Sequence, residues 1–120
     1  MEKLTNKEEL AMRILWKRKR GFVKDLMEDL PEPKPHYNTL SSLIRLLEDK
    51  GFVSHKAYGN THEYYPAISK EEYQRVYMSD IVETYFEKSY KNAVSFFAKE
   101  QNISIQELKE IIEMIETGKK

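Results

Sequence analysis

Gly59-Asn60 divides a run from Phe52 to Pro66, otherwise rich in Phe, Val, Tyr and Thr, into two β-prone halves. A two-residue turn of this composition favours positive φ and joins antiparallel strands, so the run is predicted to form a β-hairpin. The turn also fixes the register. If Tyr58 pairs with Thr61, then Ala57 opposes His62 and His55 opposes Tyr64.

Three helical segments precede the hairpin. Thr5 followed by Glu8 is a capping box, in which hydroxyl and carboxylate satisfy orphan amides at a helix start. Leu10, Ala11, Ile14 and Leu15 then recur at helical spacing. The basic cluster Lys17 to Arg20 before Gly21 suits the negative end of the helix dipole and a left-handed stop, so the first helix spans roughly Asn6 to Arg18. Val23, Leu26, Met27 and Leu30 place one buried face on a short second helix. Pro31, Pro33 and Pro35 end it and impose a stiff, extended connector. From about His36 to Lys50, Leu40, Leu43, Ile44 and Leu47 share one sector of the helix, while Asn38, Ser41, Ser42, Arg45 and Asp49 fall opposite, and Gly51 closes it. Three helices followed by a hairpin is the order of a winged helix-turn-helix, expected over residues 1–68.

Residues 69–120 read as a helical lobe. Ser69 with Glu72 is a second capping box, starting a helix that carries Tyr73, Val76, Tyr77, Ile81 and Tyr85 along one side. A break near Lys88 to Lys91 precedes a short helix with Val94, Phe96 and Phe97, and Asn102 marks the next loop. Ser104 with Glu107 opens a last helix striped by Leu108, Ile111, Ile112 and Ile115, and Gly118-Lys119-Lys120 is expected to fray. A lobe of this size rarely supplies a sufficient core alone. Its apolar side chains, namely Tyr73, Tyr77, Ile81, Tyr85, Phe96, Phe97, Leu108, Ile111, Ile112 and Ile115, are therefore predicted to form a homodimer interface. The competing reading packs the lobe back on its own winged domain. The fold class is mainly α with one small hairpin.

Composition narrows the chemistry. The 120 residues contain no Cys, which removes disulfides and thiolate sites and fits a reducing compartment. No apolar run is long enough for a membrane span and the charged N-terminus has no secretory signal region, so the expected location is cytoplasmic, without membrane insertion. Net charge is zero, with 12 Lys and Arg against 10 Asp and Glu through Ile68 and 8 against 10 beyond it. A case for DNA must therefore rest on where the polar and basic groups sit.

Those groups gather on the third helix and the hairpin. Asn38, Thr39, Ser41, Ser42 and Arg45 can donate or accept at base edges, Arg45 toward guanine and Asn38 toward adenine. The alternative is an ordinary solvated face, but such faces favour long Lys and Glu, whereas Ser and Thr let a helix approach a groove closely. Lys56, Tyr58, Asn60, Thr61 and His62 at the hairpin tip suit the sugar-phosphate backbone, and Lys34, His36 and Tyr37 suit a phosphate at the helix start. The other use of such a hairpin is to cover a sheet edge. His55 and His62 share a hairpin face, but two imidazoles without an evident carboxylate make an incomplete metal site, so neither metal nor cofactor is expected. A hydrolase built on His55, His62 and Glu63 lacks a nucleophile motif, and the chain is read as non-enzymatic.

The sequence resembles the penicillinase-repressor family, the BlaI/MecI/CopY group, from Leu4 to about Glu116. The resemblance is carried by Leu4-Thr5 with Glu8 to Trp16, by Tyr37-Asn38-Thr39-Leu40 through Arg45-Leu46-Leu47-Glu48-Asp49-Lys50-Gly51, and by Tyr64-Tyr65-Pro66. It implies a homodimeric repressor whose third helix enters the major groove of an inverted-repeat operator and whose tail interlocks with its twin. Targets in the group are genes for β-lactamase, penicillin-resistance proteins or copper handling. The Cys pairs of copper-responsive members are absent here. Members controlled by a membrane sensor protease are cut at an Asn-Phe bond, and the corresponding bond here is Ser95-Phe96. The resemblance thus implies double-stranded operator DNA, a second copy of the chain and a membrane sensor protease as partners. A different class of function, a winged helix that binds protein and leaves DNA mobility unchanged, is also compatible with zero net charge.

Overall fold

The computed structural model describes residues 3–118, so the expected fraying of Lys119 and Lys120 lies outside the described residues. They form α1 (Asn6–Arg18), α2 (Val23–Asp29), α3 (Tyr37–Asp49), β1 (Val53–Tyr58), β2 (Thr61–Pro66), α4 (Lys70–Tyr85), α5 (Tyr90–Glu100) and α6 (Ile105–Thr117). This is a winged helix-turn-helix followed by a helical lobe. It divides into two compact units, one running through Tyr77 and the other starting at Met78. Among the described residues no helix is long and apolar enough to cross a membrane.

In the first unit, α1 opens on the predicted capping box: Glu8 N donates to Thr5 Oγ1 at 3.2 Å and Thr5 N to Glu8 Oε1 at 2.9 Å. Its end differs from the sequence expectation. The left-handed residue is Lys19, at φ 76°, whose amide donates to Leu15 O at 2.7 Å. Gly21 serves the hairpin instead. Gly21 N donates to Tyr64 O at 2.9 Å and Tyr64 N to Gly21 O at 2.8 Å, which joins the α1–α2 connection to β2 as a short third rung. A Cβ on Gly21 would meet Leu26 Cδ2 at 3.3 Å, so the close approach favours a residue without one.

The hairpin has the predicted register, with Tyr58 opposite Thr61, Ala57 opposite His62 and His55 opposite Tyr64. Gly59 takes a φ of 61°, the conformation the turn requires. Alternation turns Val53, His55 and Tyr64 toward the helices, where Val53 and Tyr64 are buried. They join a core built from Met12 and Leu15 of α1, Leu26 of α2, Leu40, Ile44 and Leu47 of α3, and Phe52. Tyr73, from the second turn of α4, completes it against Trp16 and Phe52, with ring centroids at 5.7 and 6.2 Å.

In the second unit each helix start is set by a serine. Ser89 Oγ accepts from Asn92 N at 3.1 Å, and Ser104 with Glu107 forms a complete capping box. Val82 of α4 and Ala93 of α5 are buried, and Phe86, Phe96 and Phe97 cluster with centroids 5.5 to 6.0 Å apart. No described residue of α6 is buried.

Candidate nucleic-acid interface

α3 buries Leu40, Ile44 and Leu47 and turns its polar residues to solvent, because residues three and four apart share a face. Asn38, Ser42, Arg45 and Asp49 are exposed, and Arg45 Nη2 donates to Ser42 Oγ at 3.5 Å. Tyr37, Ser41 and Arg45 form the flank facing the hairpin. With Lys24 of α2 and Asn60, Thr61 and His62 of the hairpin they line a concavity of about 410 Å³, floored by Tyr64. Among the described residues lining it there is no carboxylate, whereas Lys24 and Arg45 both contribute positive charge. Burial, and then the Glu48 charge, push the Tyr64 phenol up from its ordinary value, so it stays neutral at physiological pH.

The remaining predicted residues are distributed around this face. Thr39 is exposed on the other flank, where it borders an apolar cleft of about 380 Å³ with Leu40, Leu43, Pro33 and Pro35. His36 takes the N-cap position of α3 but makes no side-chain cap bond, and its imidazole is exposed. Lys34 Nζ donates back to Glu28 O at 3.4 Å. At the hairpin tip, Thr61 Oγ1 donates to Tyr58 O at 2.8 Å, Lys56 Nζ lies 5.4 Å from the Tyr58 ring centroid, and that ring packs on Phe22 at 5.8 Å.

Three contributors were missed by sequence reasoning. Lys24 joins the concavity from α2, and its only sequence signal is an exposed lysine beside the buried Val23. Leu46 is 45% exposed on the solvent side of α3, an apolar group suited to a thymine methyl. Glu48 corrects the expectation that no carboxylate accompanies the histidines: His55 Nδ1 donates to Glu48 Oε2 at 2.5 Å, and the His55 and His62 rings stack at 4.0 Å and 7°. The fold brings this group together from α3, β1 and β2. Among the described residues no cluster of three or more His, Asp or Glu could hold a metal ion.

A second surface lies in the second unit. Ile111, Ile112 and Ile115 are 44%, 52% and 74% exposed, and Tyr85, Phe96 and Phe97 are also exposed, while Ile81 and Leu108 are half-buried. Tyr73 and Tyr77 stand apart from this group, because the first unit uses them: Tyr73 is buried there and Tyr77 packs on it at 5.9 Å. Ser95 and Phe96 are exposed near the middle of α5, within regular helix.

The family model described as penicillinase repressor matches residues 4–117. No curated protein matches the chain.

Proposed function

The chain belongs to the penicillinase repressor family, whose members are DNA-binding transcriptional regulators, and on that premise we propose that it represses transcription as a homodimer on an inverted-repeat operator. The N-terminal half of α3 enters the major groove, and the hairpin grips the adjacent backbone. The observation that carries this reading is the solvent-facing set Asn38, Ser42 and Arg45 beside a concavity that has two cations and no lining carboxylate. Asn38 and Arg45 read base edges, Ser41, Ser42 and Thr39 allow close approach, and Lys24, His36, Tyr37, Lys56, Thr61 and His62 face phosphates. Asp49 and Glu48 at the far end of α3 would repel phosphate, which favours the N-terminal half as the part that enters the groove.

Operator reading is assigned to residues 1–68 and self-association to residues 69–120. The exposed isoleucines of α6 support the second assignment: with no buried residue of its own, the helix gains apolar burial by covering that stripe. Two chains joined this way hold two recognition helices for half-sites related by a two-fold axis. The family resemblance extends the proposal to genes of the β-lactamase type, with relief by a membrane sensor protease cutting at Ser95-Phe96. Because that bond lies within α5, cutting requires local opening of the helix; it would detach α6 from the rest of the chain and remove bivalent binding.

Selection of duplexes from a randomised pool by the full chain tests the proposal. The expected product is an inverted repeat with half-site centres about one helical turn apart, or a multiple of that, bound by two chains. Enrichment of no sequence, or of a single half-site holding one chain, would count against it.

A further inference from the structure

The proposed DNA face does not use His55, yet this imidazole is held more firmly than its neighbours. Its Nδ1 donates to Glu48 Oε2 at 2.5 Å, and its ring stacks on His62 at 4.0 Å with an interplanar angle of 7°. A carboxylate can only accept, so the contact fixes a proton on His55 Nδ1. His62 in turn lines the concavity with Arg45, Ser41 and Lys24. A continuous chain therefore runs from the C-terminal turn of α3, through β1, to the edge of the proposed phosphate site on β2.

Resting on the DNA-binding reading above, we propose that Glu48 and His55 are positioning residues for His62, and that this relay makes operator binding proton-linked. The groups facing the pair come from every element packed against it. α3 supplies Glu48, Arg45 and Tyr37, α2 supplies Lys24, and β2 supplies Tyr64, whose ring lies 5.8 Å from His55 and 6.1 Å from His62 in edge contact. Lys56 and Glu63 stand opposite each other in register on the other face of the hairpin.

A DNA phosphate arriving in the concavity places negative charge beside His62, which takes a proton from solvent as the complex forms. Imidazoles change charge between about pH 5 and 8, so the linkage falls in an accessible range. Because the bound state holds more protons than the free state, affinity rises as pH falls, by up to about tenfold per pH unit for one proton.

The test measures affinity of the full chain for the duplex it selects from a randomised pool, from pH 6 to pH 8 at constant ionic strength. The sequence contains three histidines, and His36 also faces phosphate in the proposed complex, so the series is built in a His36→Gln background that leaves His55 and His62 as the remaining imidazoles. The His36→Gln protein is expected to bind several-fold more tightly at pH 6 than at pH 8. Adding His62→Gln should weaken binding at pH 6 and flatten the profile, and adding Glu48→Gln should flatten the profile while leaving the salt dependence of binding in place. A profile of the His36→Gln protein no steeper than that with His62→Gln added, with specific binding intact, overturns the relay alone. No specific binding at any pH overturns the DNA reading and the relay together.

Discussion

Lys50, the C-cap residue of α3, donates from Nζ to Glu8 Oε2 at 2.8 Å, and Glu8 is also the residue that completes the capping box of α1. The carboxylate is 2% exposed. Burial works against its charge, but the hydrogen bonds from Lys50 and Thr5, with the Lys50 charge, outweigh burial and hold its acidity below the ordinary carboxyl value. The end of α3 is thereby tied to the start of α1.

Lys50→Met leaves Glu8 buried without this cation and is expected to cost about 3 kcal/mol in denaturant unfolding. The difference should depend on pH in one direction. A carboxyl whose folded value is depressed contributes fully above its unfolded value, near ~4.3, and loses that contribution as pH falls through the folded value. The stability gap between wild type and Lys50→Met should therefore shrink below about pH 4, and a gap constant from pH 3 to pH 7 would contradict the pairing.

Trp16 is the sole tryptophan and reports on how α4 is anchored. Its Nε1 donates to Ile68 O at 2.9 Å and its ring meets Tyr73 at 5.7 Å, while Tyr73 Oη accepts from Leu4 N at 3.3 Å. Tyr73→Phe should cost about 1 kcal/mol, the scale of one hydrogen bond, and Tyr73→Ala about 3 to 5 kcal/mol, the scale of an emptied core site. Tryptophan fluorescence should follow both unfolding transitions. Equal stability of Tyr73→Ala and wild type would show that Tyr73 is not a core residue.

Self-association should depend on the isoleucines of α6. Ile112→Asp with Ile115→Asp places charge on a face that has no buried residue in a single chain. The pair is expected to shift sedimentation from two chains to one without loss of helical circular dichroism. It should also weaken duplex binding by 10²-fold or more, on the scale of lost bivalency. Sedimentation unchanged from wild type would move the interface elsewhere.

Features set by neighbouring residues were legible in the sequence. Gly59-Asn60 fixed the hairpin register, and Thr5 with Glu8 and Ser104 with Glu107 marked helix starts, because turn and cap chemistry acts over two to four residues. Period alone separated Leu40, Ile44 and Leu47 from Asn38, Ser42 and Arg45. Features joining distant segments were not legible. Glu48 reaches His55 across the α3–β1 turn, Lys24 reaches the concavity from α2, and Gly21 meets Tyr64 across 43 positions of chain. The aromatic side of α4 misled for a related reason. Tyr73 and Ile81 continue one stripe in sequence, yet Tyr73 fills the winged core and Ile81 belongs to the second unit.

The claim on which the rest depends is that the outward residues of α3 read bases, and it is tested most directly by comparing single variants on a selected duplex and on a scrambled one at matched salt. Asn38→Ala and Arg45→Ala are each expected to lose about 1 to 3 kcal/mol on the selected duplex and little on the scrambled one. Lys24→Ala should weaken both equally and lower the log-log salt slope by about 1. Loss of equal size on both duplexes for Arg45→Ala and Asn38→Ala, or no loss on either, would contradict base reading by this helix.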